Sequence, residues 1–439
     1  MTVELAHPST EPSPSRSPVE PAHPRWWFAR TTPGRILTIG VILATLGILS
    51  AFATSTTIND RQQQLNTVLN HTEPLAFAAG QLYTTLSVAD AAAATAFIAG
   101  SEPRPVRQRY EQAITDAAVA VTRASSGLTD EPLVELLGRI NAQLAVYTGL
   151  IETARTNNRM GNPVGSSYLS EASALMQQSI LPEAQRLYEE TSARVDAETT
   201  ASTRIPAPVI VVVITTLAFG AFAHRWLAGR TRRRVNVGLV VGGFAIVVMI
   251  IWVGTALTIS TAGSRSAKNT AAESLKTVTN LAITAQQARA DETLSLIRRG
   301  DEDVRKRSYY QRVDTMHQQL TEYLARRDAI DKSDLADADK LLMKWRAADE
   351  RINAYIAVGN YQAATQVALG TGEDDSTPAF DKLDEALSNG IQESRNQLRN
   401  DILSARRVLS GATVGGVVLS VGAALAVALG LWPRLSEYR

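Results

Sequence analysis

The stretch PAPVIVVVITTLAFGAFAHRWL (residues 206–227), then AGRTRRR (228–234), then VNVGLVVGGFAIVVMIIWVGTAL (235–257), decides the architecture. Each apolar run holds about 20 residues, enough at about 1.5 Å per residue to cross about 30 Å of hydrocarbon. Between the runs lie Arg230, Arg232, Arg233 and Arg234, with Arg225 just ahead of them and no acid. Short loops rich in arginine stay on the cytoplasmic side of a membrane. Working outward, residues 35–56 and 409–432 are two more runs of the same kind. Four spans with a cytoplasmic central loop put both termini in the cytoplasm and two long segments outside it.

The expected class is all-α: four transmembrane helices carrying two tandem extracytoplasmic four-helix bundles, related by internal duplication. Residues 1–35 form a Pro-rich cytoplasmic tail, 36–56 the first span, and 57–205 the first bundle. Residues 206–228 form the second span, 229–234 the arginine loop, and 235–259 the third span. The second bundle takes 260–408, the fourth span 409–432, and a short cytoplasmic tail 433–439. Arg25, Arg30 and Arg35 agree with this orientation, and Trp26, Trp27 and Phe28 suit the lipid interface as an aromatic belt. Ala51-Phe52-Ala53 resembles a signal-peptide cleavage site, but the apolar stretch before it exceeds the usual 7–15 residues.

Formal charge is +1 and aromatics are 6%, so no basic field points to nucleic acid as partner, and the Ala-, Leu- and Glu-rich mix favours helices. The absence of cysteine excludes disulfides, thiolate catalysis and Cys-ligated metals.

The two halves match at an offset near 200. Gly100 falls on Gly300, Glu102 on Glu302, Arg107 on Arg307 and Tyr110 on Tyr310, and Pro182 corresponds to Pro378. Stripes at steps of three and four mark the core faces. They are Leu133, Leu136, Ile140, Leu144, Tyr147 and Ile151, and Val106, Tyr110, Ala113, Ala117 and Val121, in the first half. In the second they are Tyr309, Val313, Met316, Leu320 and Tyr323, and Ala338, Leu341, Trp345, Ala348, Ile352 and Tyr355. Breaks are expected at Gly100–Pro105, Gly127–Pro132, Asn157–Ser166, Gly300–Asp303, Ala329–Ser333 and Gly359–Pro378.

Catalytic chemistry is not legible. The five histidines have no metal-ligand spacing, and no phosphate loop or nucleophile elbow occurs. Asp331, Asp334, Asp337 and Asp339 lack the glycine and terminal Glu of a calcium loop and fit an N-cap and a wet helix face. No catalytic, cofactor-binding or metal-binding residue is assigned, and no enzyme is expected. Span centres without charge argue against a transporter. The pairs Gly238–Gly242 and Gly411–Gly415 are spaced for close helix contact. Two polar groups are candidate partner contacts: Asn157, Asn158, Arg159 and Asn162 in an outer turn, and Arg232, Arg233 and Arg234 in the cytoplasmic loop, which also suits anionic lipid.

The span–bundle–span layout resembles the ligand-binding half of bacterial chemoreceptors and sensor kinases, without their methylated hairpin. The tandem bundles, four spans, the segment Asn157–Gly165 and a tail without an effector are similar to the GlnX family of actinobacterial membrane receptors. That resemblance implies a receptor that senses an amino-acid-binding, GlnH-like solute-binding lipoprotein outside. Inside, it implies a signal to a PknG-like Ser/Thr kinase, directly or through an adaptor, adjusting glutamate and 2-oxoglutarate metabolism. The alternative is a structural or scaffolding protein of the envelope or of a secretion system. Because the chain has no cysteine, single replacements test the orientation: Thr231→Cys should react with a membrane-impermeant maleimide only after permeabilisation, and Asn162→Cys in intact cells.

Overall fold

The computed structural model describes residues 32–99, 104–128, 130–201, 207–230, 237–297 and 302–436. The expected N-terminal tail, the interface aromatics and Arg232, Arg233 and Arg234 lie outside these residues. Every element among them is helical. In the first half α1 (Thr32–Thr67) passes through a π turn (Val68–Thr72) into α2 (Glu73–Ile98), followed by α3 (Arg104–Gly127) and α4 (Glu131–Arg159). Then α5 (Val164–Leu175) passes through a π turn (Met176–Ile180) into α6 (Leu181–Ala201), and α7 covers Ala207–Arg230. In the second half α8 (Val237–Ser266) passes through a π turn (Ala267–Ala272) into α9 (Glu273–Ile297). It continues with α10 (Glu302–Ala325), α11 (Lys332–Ala357), the short α12 (Tyr361–Leu369) and α13 (Ser376–Ser436), a single helix of 61 residues.

Among the described residues four helices are long and apolar enough to cross a membrane, and the protein is a multi-pass membrane protein. Their side chains show why water is the wrong solvent for them. Ile48, Phe52, Val211, Phe222, Phe244, Ile251, Val418 and Leu429 all lie exposed on the surface, which suits lipid tails. By contact, the chain divides into two compact units. One contains Pro208–Val248 with the segments up to Phe52 and from Val418, and the other contains Ala53–Ala207 and Met249–Val417. Within the first, Ser50 and Thr216 share a hydrogen bond at 2.7 Å, satisfying two buried hydroxyls on neighbouring apolar helices. Of the expected glycine contacts, Gly415 is one: a Cβ there would sit 2.5 Å from the Trp252 indole nitrogen. Gly411 faces open space.

Two of the three π turns have a local cause. Pro74 and Pro182 each follow a π turn by two residues. A proline in mid-helix lacks the N–H for the carbonyl four residues back and its ring collides with that carbonyl, so the chain widens by one residue per turn instead of breaking. The third turn, 199 residues beyond the first, is followed at the same spacing by Ser274, and the sequence offers no such reason for it.

The second unit holds two helix bundles. In the first, α2, α3, α4 and α5–α6 enclose Leu82, Leu86, Ile140, Tyr147, Met176 and Leu187. In the second, α9, α10, α11 and the first part of α13 enclose Leu281, Tyr309, Met316, Leu320, Trp345 and Leu387. Trp345 is its hub, edge-on to Tyr309 at 5.2 Å and to Phe380 at 4.9 Å between ring centres. The stripes of sequence spacing drift as they run. Leu342 is buried where Leu341 is only partly so, and Tyr355 is 39% exposed. A seven-residue repeat slips about 20° per heptad on a straight 3.6-residue helix, which carries the end of α11 off the core. The interval Gly359–Pro378, expected as a break, contains α12, whose Ala364 and Ala368 pack with Ile352.

Trp345→Ala should destabilise the protein by about 3–5 kcal/mol, the range for emptying a large aromatic site. Tyr355→Ala should stay within about 0.5 kcal/mol. Urea unfolding of the two variants in detergent measures the contrast.

Candidate functional site

The candidate site is the seam where the two bundles meet inside the second unit. It starts from small residues on α2. Gly80 brings α2 against α9 and α6: a Cβ there would stand 3.4 Å from both the Thr279 methyl and the Tyr188 ring. Close approach lets Ile283 of α9 join the core of the first bundle. Polar groups then fix the register. Gln287 Nε2 donates to the Tyr83 hydroxyl at 2.8 Å, while Gln287 Oε1 accepts from Arg312. Arg109 grips Asp381 with two hydrogen bonds, at 2.8 and 3.2 Å. Lys276 faces Asp196 at 3.8 Å.

The strongest contact is at Glu73. Its carboxylate is 2% exposed and receives Arg395 and, at 3.0 Å, Arg399, both from α13. Arg395 also lies over the Phe77 ring, 3.8 Å from its centre. Arg399 donates further to the Leu69 carbonyl, inside the first π turn, at 3.2 Å. At the matching place 200 residues on, Arg326 donates to the Asn269 carbonyl inside the π turn of the second half, at 3.4 Å. A π turn leaves carbonyls poorly paired along the helix, and a guanidinium satisfies them.

Between these contacts the seam encloses a cavity of about 350 Å³. Its wall is largely apolar, with Ala76, Phe77, Val88, Ala113, Leu275 and Ile391, and carries Gln81, Arg109, Asp116, Gln286, Asp384 and Gln392 as polar members. Only Ala113 was singled out by sequence reasoning, as a core position, because the wall residues come from helices up to about 300 residues apart. The available signal was the small-residue row Ala76, Gly80 and Thr84 on α2, whose four-residue spacing marks one closely packed face.

Two buried carboxylate sites flank the seam. Asp90 of α2 accepts from the Tyr147 hydroxyl at 3.3 Å, Ser173 Oγ at 3.1 Å and Gln177 Nε2 at 3.0 Å, and burial pushes its carboxyl up. In the second bundle Glu292 accepts from Trp345 Nε1 at 3.1 Å, from Ser376 and from Arg289. Asp349 stands nearby on α11, and burial, followed by the Glu292 charge, pushes it up to about 7.

The residues expected in the outer turn are brought together, in one local structure. Asn162 N donates to the Asn157 carbonyl at 2.9 Å, Asn162 Nδ2 to Asn157 Oδ1 at 3.2 Å, and Gly161 N to the Asn158 carbonyl at 3.0 Å. Gly161 takes a left-handed φ of +70° that closes the turn, and Arg159 ends α4 on its exposed side. The four aspartates near 335 are separate: Asp337 pairs with Lys340, Asp339 with His317 at 2.7 Å, and Asp331 sits at the N-cap position without a side-chain cap bond.

Residues 64–200 match a family described as the actinobacterial sensor domain. The match covers α2 through nearly all of α6, which is the first bundle. It supports a sensing or signalling role. No curated protein and no solved structure matches the chain.

Asp349 sets a pH dependence. Its folded pKa of about 7 lies above the ordinary value of 3.8, so the native state holds a proton that the unfolded chain releases. Stability from this group is therefore fully present below about pH 4 and is lost as pH rises to about 7. Asp349→Asn should flatten the fall in melting temperature over that interval, and differential scanning calorimetry from pH 4 to 8 reads it.

Proposed function

We propose that the protein is a transmembrane receptor that reads an extracytoplasmic amino-acid-binding lipoprotein and relays its state to a cytoplasmic Ser/Thr kinase. The observation that carries this reading is the sensor-domain match over the first bundle, in a chain where α1, α8 and α13 join apolar stretch to bundle without a break. In this reading residues 57–205 and 260–408 stand outside the cytoplasm as duplicated domains. The shared helix order and the π turns 199 residues apart favour that duplication. The pairing of the two bundles through α2, α9 and α13 gives one chain the pseudo-twofold arrangement that identical receptor domains obtain by dimerising.

The mechanism follows from the helices. A change at the seam alters how α2 and α9 lie against α13, and each of these continues into an apolar helix. A small shift or rotation then reaches the other side of the membrane as a choice between two packed states. The outer turn of Asn157, Asn158, Arg159 and Asn162 is the proposed contact for a GlnH-like solute-binding lipoprotein. It lies at the far end of α4 from the α3–α4 turn. Arg232, Arg233 and Arg234 are the proposed contact for a PknG-like kinase or its adaptor, and for anionic lipid. The consequence is control of glutamate and 2-oxoglutarate metabolism, and the role is non-enzymatic.

Capture of the tagged receptor from membranes should recover the loaded binding protein, with Asn162→Cys cross-linking to it more strongly than Leu128→Cys. Replacing Arg232, Arg233 and Arg234 by Gln should lower kinase-dependent phosphorylation at unchanged membrane levels. Equal cross-linking at both cysteines, or unchanged phosphorylation, would remove the corresponding contact.

A further inference from the structure

The seam cavity carries a charge that the seam itself does not neutralise. Among its acids, Glu73 is held by Arg395 and Arg399, and Asp196 faces Lys276. Arg109, the guanidinium in the wall, is committed to Asp381 through both prongs. Asp116 is exposed and accepts from Gln112 Nε2 at 2.9 Å, whereas Asp384 is drawn into the wall. Its Oδ1 accepts from Gln286 Nε2 at 2.8 Å, and among the described residues no cation stands within ion-pair distance of it. Burial pushes its carboxyl up, against the opposing pull of the Gln286 amide and the Arg109 charge. A carboxylate in an apolar wall without a cation is costly, and a cavity beside it offers room for the missing partner.

We propose that the cavity binds a small organic monocation, a primary amine on a compact apolar body, with its ammonium on Asp384. This deepens the sensing reading and rests on it for its consequence: the cavity draws its walls from both bundles, so its occupant bridges them. The volume of about 350 Å³ lies near the lower end of small-ligand pockets, about 300–1,000 Å³. That is ample room for a body the size of one ring. Ala113, Ala282 and Ile391 supply the surface against which such a body desolvates, and Gln286 holds the carboxylate in place. A zwitterion fits less well, since the wall leaves no cation free for its carboxylate: Arg109 and Lys276 both face acids.

The test is calorimetric titration of the purified full-length protein in detergent with cyclohexylamine, using cyclohexanol as the neutral isostere and empty micelles as blank. Cyclohexylamine should bind at least about tenfold more tightly than cyclohexanol, as a charge-assisted hydrogen bond implies. Asp384→Asn, which keeps the shape and removes a partly buried charge, should fold and lose that preference. Asp116→Asn, at another acid of the lining, should change amine affinity less than about twofold. Amine binding should weaken as pH falls and Asp384 takes up a proton. Equal binding of amine and alcohol, or undiminished amine binding by a folded Asp384→Asn variant, would overturn the site. Because the titration uses the receptor alone, its outcome is independent of partner capture: capture without amine binding removes the cavity ligand, and amine binding without capture removes the lipoprotein reading.

Discussion

Glu73 concentrates the problem this chain has to solve. Its carboxylate is removed from water between two guanidinium groups of α13, and a buried charge left alone there would cost several kcal/mol. Apolar packing between α2, α9 and α13 tolerates a slip of one helical step, because alanines, leucines and valines are interchangeable at a flat seam. The charge cluster does not. A slip would part Glu73 from Arg395 and Arg399, and the Leu69 carbonyl would lose its donor at the same time. The register of one bundle against the other is thus set electrostatically, at the end of α2 nearest the π turn. Arg109 of α3 with Asp381 of α13 repeats the device in weaker, half-exposed form.

Fixing the register at one end leaves the middle of the seam less tightly filled. The side chains that meet there are short or polar, among them Gly80, Thr84, Thr279 and Gln286, and the cavity is the space they do not occupy. Each bundle is otherwise closely packed. The first relies on alanines and leucines along α2 and α3, and the second on the Trp345, Tyr309 and Phe380 rings. The buried acids Asp90, Glu292 and Asp349 each lie beside an aromatic residue carrying a hydroxyl or indole N–H. The cores therefore contain hydrogen-bonding groups whose protonation matters, and both bundles are more than oil-filled spacers.

Sequence patterning reached the helical class, the four apolar helices and most core positions, because these depend on near neighbours along one helix. Tyr309, Val313, Met316, Leu320 and Tyr323 are buried together for the reason their spacing gives. It failed where the stripe drifts, at Leu341 and Tyr355, and where a short helix fits into an interval of Gly, Asp and Thr, as α12 does. The seam was not legible at all. Glu73 and Arg395 are 322 residues apart, and nothing in either local pattern distinguishes them from solvated charges. Neither Pro74 nor Pro182 falls in an expected break, and the structure shows both widening the helix without ending it. The outer asparagines were readable as polar turn residues, and their hydrogen bonds to one another account for the turn.

The paired π turns have a historical reading as well as a mechanical one. Inserting one residue into a long helix rotates everything beyond it by about 100°, which would turn a buried face outward unless the insertion is absorbed as a wide turn. Two such turns at matching positions, with Leu69 and Asn269 carbonyls each taken by an arginine distant in sequence, require two independent accidents if the halves arose separately. In a lineage that began from one half they require a single ancestral insertion, already accommodated before copying.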